Sequence, residues 1–285
     1  MSLGEREELR IVSADQHFRG VAFYGCGAMG SALVRGFARD LGETRLVVIA
    51  RDRERMLARL EGTPAVIVTD PAAPEVAACD AVLIGVKPQV LREITAELAP
   101  LCVGRAAISV AAGVDCAFLR QALPDATTII RALPNLAVAK GAGLTAMCAV
   151  ADPASAQKRA DRAKVDALFA PAGGSAWFDS EADLDVATAI SGSALAFYFA
   201  FTEALAAAGV GAGLDAGLAG RFAVQTLVGA GAMAEDLDQV SALKAAVTSK
   251  GGTTAAGRAV LEGEHGLWPM LQAAVDAAIA RARQL

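Results

Sequence analysis

The 285-residue sequence predicts an α/β chain in which a doubly wound parallel sheet is followed by an all-helical half. Three observations carry this. Short apolar runs alternate with helical patterns from Val21 to about Cys148. Gly25-x-Gly27-x-x-Gly30 joins the first apolar run to the first helical pattern. From Glu181 onward there is no strand pattern at all.

Taken in order, the first strand is expected at 21–24 and the first helix at 29–40, with the glycine turn between them. Further strands are expected at 46–50, 66–68, 81–86, 106–111, 127–131 and 143–148, and helices at 53–60, 90–101 and 116–122. Lys87-Pro88 stops the fourth strand, because proline has no N–H to give to a ladder. An amphipathic helix follows at 154–169, and Trp177-Phe178 close the first domain. Alanine-rich helices are expected at 183–208, 214–235, 238–247, 253–262 and 267–283, the first two separated by a loop at 209–213. The domains then read as a disordered leader at 1–16, a Rossmann-type dinucleotide-binding domain at 17–178 and a helical domain at 179–285.

Composition narrows the class. With 54% hydrophobic and 20% charged residues, the chain can bury more apolar surface than a monomer would use. A net charge of −5 and the lack of a basic run argue against a nucleic-acid partner. Five cysteines without CxxC spacing and only two histidines argue against a metal site or a disulfide framework, and for reduced thiols in the cytoplasm. Residues 1–16 are charged and do not form a signal peptide. The uncharged stretches 187–202 and 204–214, divided by Glu203, each fall short of the roughly 20 residues of a span, so no membrane partner is expected. A helix buried partly by another subunit fits them better.

Two stretches carry chemistry. The strand–helix context makes the glycine turn a dinucleotide fingerprint, with Gly25, Cys26, Gly27, Ala28 and Met29 at the pyrophosphate. The second strand ends in Ala50 and leads into Arg51-Asp52-Arg53, where an NAD enzyme usually carries a ribose-binding carboxylate. Arg51 can pair with a 2′-phosphate, so NADP is the preferred cofactor; Asp52 keeps NAD open. Near the C-terminus, Thr248-Ser249-Lys250-Gly251-Gly252-Thr253-Thr254 sits between two helical patterns. By itself it reads either as a helix–helix turn with a threonine N-cap or as an N–H-rich receptor for a carboxylate.

Taken together, the ordered motifs resemble pyrroline-5-carboxylate reductases. They are Gly25-Cys26-Gly27-Ala28-Met29, Val86-Lys87-Pro88-Gln89, Ser109-Val110-Ala111-Ala112-Gly113, Arg131-Ala132-Leu133-Pro134-Asn135, Ser191-Gly192-Ser193, Glu203-Ala204-Leu205, Gln225-Thr226, Gly229-Ala230-Gly231-Ala232-Met233 and the turn at 248–254. The resemblance implies reduction of the cyclic imine of 1-pyrroline-5-carboxylate to L-proline with NADPH or NADH, and a helical domain that dimerises and often assembles further. It implies that Val86, Lys87, Pro88 and Ala112 line the ribose and nicotinamide, with Asn135 also at the cofactor. It implies that Gly251, Gly252 and Thr253 offer backbone donors and Ser249 its hydroxyl to the substrate carboxylate, while Thr254, the expected catalytic residue, meets the ring nitrogen.

The chain departs from the family pattern in four places. Ala194-Leu195-Ala196-Phe197 replaces the usual Gly-Pro-Ala-Tyr, Leu136-Ala137 follows the Pro-Asn pair, Asp70-Pro71-Ala72 lacks an asparagine, and Lys250 stands where the signature has proline. Two other readings stand beside the first: a reductase of another small imino or keto acid, and a non-catalytic NADP-binding protein. The β-hydroxyacid dehydrogenases share the architecture but rely on a lysine in the first long helix, and residues 181–220 contain none.

Overall fold

A computed structural model describes residues 17–149, 156–234, 236–282 and 284. The leader expected at 1–16, the first residues of the helix expected at 154–169 and the last of that expected at 267–283 lie outside these. Among the described residues, six strands run parallel: β1 (Gly20–Tyr24), β2 (Arg45–Ile49), β3 (Val66–Val68), β4 (Ala81–Ile84), β5 (Ala106–Ser109) and β6 (Thr128–Leu133). They pair in the order β3-β2-β1-β4-β5-β6, so the winding direction changes between β1 and β4. The central strands β4 and β6 are buried throughout, as apolar strands covered on both faces must be.

Helices α1 (Ala28–Phe37), α2 (Arg53–Arg59), α3 (Pro74–Ala77), α4 (Pro88–Glu93), α5 (Thr95–Cys102) and α6 (Cys116–Ala122) make the crossovers. The single helix expected at 90–101 is two, broken at Ile94, and it starts earlier because Pro88 occupies the first helical position, where a missing N–H costs nothing. α1 buries Leu33, Val34 and Phe37. The Phe37 ring meets Phe169 edge-on at 4.8 Å.

Two strands complete the sheet and correct the all-parallel expectation. β7 (Thr145–Ala149) pairs antiparallel with β6. The link between them holds only a 3-10 turn, Leu136–Lys140, which is too short for a parallel crossover. After α7 (Ala156–Phe169), β8 (Ser175–Phe178) adds parallel to β7. The sequence reading treated Trp177-Phe178 as a domain end and missed this strand; four residues are too few to show a period.

α8 (Glu181–Thr188) stays with the sheet. Buried Arg131 of β6 holds it, pairing with Glu181 Oε1 at 2.9 Å and Asp185 Oδ1 at 3.1 Å. Glu181 Oε1 also accepts the Cys116 N–H at 3.0 Å, and Leu184 is fully buried. The residues up to Gly192, with the end of the chain from Arg281, therefore form one compact unit, and Ser193–Ala280 form a second. The boundary expected at 178/179 lies between β8 and α8.

The second unit contains α9 (Ala194–Gly211), α10 (Ala216–Met233), α11 (Leu237–Ala246), α12 (Thr253–Leu261) and most of α13 (Leu267–Ala282). α9 and α10 meet through small residues, with Ala219 and Ala223 buried. Glu203 does not interrupt its helix. The helical run Glu181–Gly211 is long and apolar enough, by length and composition alone, to cross a membrane. Large apolar side chains stand exposed in this unit, Phe199 at 54%, Phe222 at 65% and Trp268 at 67%.

Arg131→Ala is expected to lower the unfolding free energy by about 2–4 kcal/mol, because it strands two carboxylates, both of them partly solvated. Urea unfolding followed by tryptophan fluorescence measures this.

Candidate active site

One candidate, in the sheet unit, is a cleft of about 650 Å³ over the carboxyl ends of β1, β2 and β4. Its floor is the glycine turn. Gly25 has φ +89°, and a Cβ there would lie 2.5 Å from Val86 Cγ1. A Cβ on Gly30 would lie 2.9 Å from the Gly25 carbonyl oxygen, and one on Gly85 only 2.4 Å from that same oxygen. The two loops therefore touch backbone to backbone, and the Gly85 N–H donates to Tyr24 O at 2.9 Å. Gly27 differs: its Cβ would meet nothing within 4 Å. The open space lies at the start of α1, whose cap, Gly27, brings no side chain, and helix geometry leaves first-turn N–H groups without intrahelical partners. Open volume, free donors and a positive helix end fit a bound pyrophosphate.

The walls are charged. Arg51, Arg55 and Arg59 line the β2–α2 side, and Lys87 and Glu97 the other. Asp52, which kept NAD open in the sequence, is occupied: its carboxylate caps α2 by accepting the Arg55 N–H at 3.0 Å. Arg53 turns away, its Nε donating to Ile67 O at 3.4 Å. The Tyr24 hydroxyl donates to Glu97 at 2.6 Å. Burial, and then that carboxylate, raise the Tyr24 phenol above its ordinary range. Burial likewise raises the Cys26 thiol, against the pull of Ser31, Arg59 and Arg35, so Cys26 is a packing residue and no thiolate nucleophile.

The cleft thus gathers Gly25, Cys26, Gly27, Arg51, Val86 and Lys87 from the sequence reading, and adds Gly85, Arg55 and Arg59, which that reading did not single out. The spacing of Arg55 and Arg59 is a usable signal, since residues four apart share a helix face. Ala28 and Met29 open α1, and Pro88 opens α4, beside the lining. Ala112 is exposed beyond the end of β5 and outside the lining. Asn135 also lies outside it, and both ends of its amide are engaged: Oδ1 accepts the Ala137 N–H at 3.0 Å and Nδ2 donates to Ser191 O at 3.1 Å. It caps the 3-10 turn and ties it to the π-helical turn Ala189–Ser193. Where the family's asparagine is missing, Asp70 forms a turn with the Ala72 N–H at 2.8 Å, and Thr69 and Pro71 line the cleft.

A separate candidate, in the helical unit, is the turn at 248–254. Gly251 has φ +73°, and the Gly252 N–H donates to Ser249 O at 3.1 Å. A Cβ on Gly252 would meet the Ser249 hydroxyl, which a rotation of that side chain relieves. Gly252 caps α12, and Thr253 and Thr254 are exposed in its first turn. The expected threonine cap is therefore not formed. Thr248 instead donates to Lys244 O at 2.6 Å and accepts from Arg258 at 3.0 Å. The outcome is a helix N-terminus with a serine hydroxyl beside it, the Gly252 N–H being taken up by Ser249 O. Lys250 projects with an exposed side chain.

Comparison with known proteins adds kinship to this geometry. Residues 181–285 match the family model described as pyrroline-5-carboxylate reductase dimerisation, and residues 20–113 match that described as NADP oxidoreductase coenzyme F420-dependent. The pyrroline-5-carboxylate reductase of Mycobacterium tuberculosis is 36% identical over 93% of this chain and 96% of its own. The solved pyrroline-5-carboxylate reductase of Coxiella burnetii superposes with a TM-score of 0.80 at 28% identity, covering 93% of this chain and 97% of that one. That of Plasmodium falciparum, solved with NADP bound, superposes at 0.74 and 26% identity over 93% of this chain and 97% of its own.

Gly85→Ala is expected to cost about 1–3 kcal/mol of stability, from forced separation of the two loops, and to weaken dinucleotide binding alongside. Thermal unfolding and a cofactor titration read the two effects. Asp52→Ala should cost about 1 kcal/mol through the lost cap and Asp52→Asn much less, measured by the same unfolding assay.

Proposed function

The chain belongs to the pyrroline-5-carboxylate reductase family, and on that premise we propose that it reduces the imine carbon of 1-pyrroline-5-carboxylate to yield L-proline, in the last step of proline biosynthesis. The relatives' names and the NADP-bound structure support this activity and NADP as the cofactor. The observation that carries the reading to this chain's own residues is that each unit holds a helix start capped by a glycine that brings no side-chain cap. One lies at Gly27 under an open cleft; the other is at Gly252 with Ser249 beside it.

A bound reduced nicotinamide supplies the hydride. The protein's part is to hold and orient. The N–H groups of Gly251 and Thr253 and the Ser249 hydroxyl receive the substrate carboxylate, the Gly252 N–H joining them by exchanging its bond to Ser249 O, and the Thr254 hydroxyl hydrogen-bonds the ring nitrogen. A protonated imine is already electrophilic, so positioning supplies most of the rate and no strong acid is needed. On the cofactor side, Gly25, Cys26, Gly27, Ala28 and Met29 take the pyrophosphate and Arg51 the 2′-phosphate, with Asp52 withdrawn into its cap. Val86, Lys87, Pro88 and Ala112 flank the ribose and nicotinamide. NADPH is accordingly preferred and NADH accepted.

We assign residues 17–178 to dinucleotide binding and residues 179–285 to substrate binding and dimerisation. The exposed Phe199, Phe222 and Trp268 call for a second copy, giving a homodimer through the C-terminal helices or a larger oligomer built from it. The same demand accounts for the apolar run Glu181–Gly211 without a bilayer. The five free thiols suit the reducing cytoplasm.

Thr254→Ala is expected to lower kcat/KM for 1-pyrroline-5-carboxylate by about 5- to 150-fold, the equivalent of roughly 1–3 kcal/mol of transition-state binding. Oxidation of NADPH, followed by absorbance in the folded variant, tests it; unchanged kinetics would remove Thr254 from the site.

A further inference from the structure

The β2–α2 wall of the cleft holds more positive charge than one arginine at the strand end accounts for. Arg55, Met56 and Arg59 share the helix face that lines it, with Arg51 just before the Asp52 cap. Two guanidinium groups four residues apart repel each other unless an anion lies between them. The carboxylates of the cleft are committed elsewhere, Asp52 to the Arg55 N–H and Glu97 to the Tyr24 hydroxyl. Arg59 is also held in place: its Nη1 donates to Cys26 O at 3.2 Å, and its own carbonyl accepts from Arg35. One donor of five is thereby used, and the guanidinium is fixed at the glycine turn at little further entropy cost on binding.

We propose that Arg55 and Arg59 complete, with Arg51, a subsite specific for the 2′-phosphate of the dinucleotide, so that cofactor choice is set by the face of α2 as well as by the end of β2. This rests on the dinucleotide reading above. The subsite lies where Ile49 and Ala50 end β2, the position at which this fold holds the adenosine ribose. The pyrophosphate already has the first-turn donors of α1. A phosphate monoester brings a charge of about −1.5 to −2 and three acceptor oxygens, enough to engage several guanidinium groups, whereas a ribose diol brings no charge.

The test is a titration of the full chain with NADPH, NADH and 2′,5′-ADP. Arg55→Met removes no side-chain hydrogen bond seen among the described residues, and should weaken NADPH and 2′,5′-ADP roughly ten- to hundredfold. NADH should change less than about threefold. Arg59→Met should behave alike, with an unchanged melting temperature of the free protein separating lost contact from a disturbed turn. Equal weakening of NADPH and NADH would assign these arginines to the shared half of the cofactor and overturn the proposal, as would unchanged NADPH binding in both variants. Failure of the unaltered protein to bind either dinucleotide would instead refute the cofactor reading beneath it.

Discussion

A Cβ on Gly85 would stand 2.4 Å from the Gly25 carbonyl oxygen, so the loops leaving β1 and β4 can be as close as they are only because both residues are glycine. That contact lies where the strand order reverses, between β3-β2-β1 and β4-β5-β6. Open α/β sheets offer a crevice there because the helices on either side diverge. Here the crevice floor is bare backbone. The empty direction at Gly27 and the free donors of α1 depend on the floor staying low, and so does the position of Val86 and Lys87 on the far wall.

Charge in the cleft is organised around a single commitment. Asp52 in the sequence reads equally as a ribose ligand or as a helix cap, and the two roles predict different cofactors. The hydrogen bond from the Arg55 N–H makes it a cap. The three arginines at 51, 55 and 59 outnumber its single negative charge on that wall. Local backbone geometry thus sets the electrostatics of a site that composition alone, at a net charge of −5, gives no hint of.

The helical unit follows a different logic. Its helices pack through alanine and glycine, which bury little area, and large apolar side chains are left outside. Such a surface is costly in water and is kept where a matching surface covers it. The 248–254 turn belongs to this same unit, with Gly251 at φ +73°, a backbone conformation that favours glycine. The lysine at 250 is exposed.

By itself the sequence determined seven of the strand segments, the glycine turn, the helical second half and the turn at 248–254, because each is written in local pattern: apolar runs, glycine spacing, the absence of strand alternation; that the seventh strand runs antiparallel was left to the tertiary structure. Tertiary structure alone decided the rest. β8 exists because β7 offers it an edge, and α8 belongs to the sheet unit because Arg131, fifty residues upstream of Glu181, holds it there. Asn135 became a cap for the turn beyond β6 and a tie to Ser191. Gly85, Arg55 and Arg59 entered the site because folding brought them to Gly25 and Cys26. Pairing across such separations depends on which groups are left unsatisfied nearby in space, and no window of sequence contains that information.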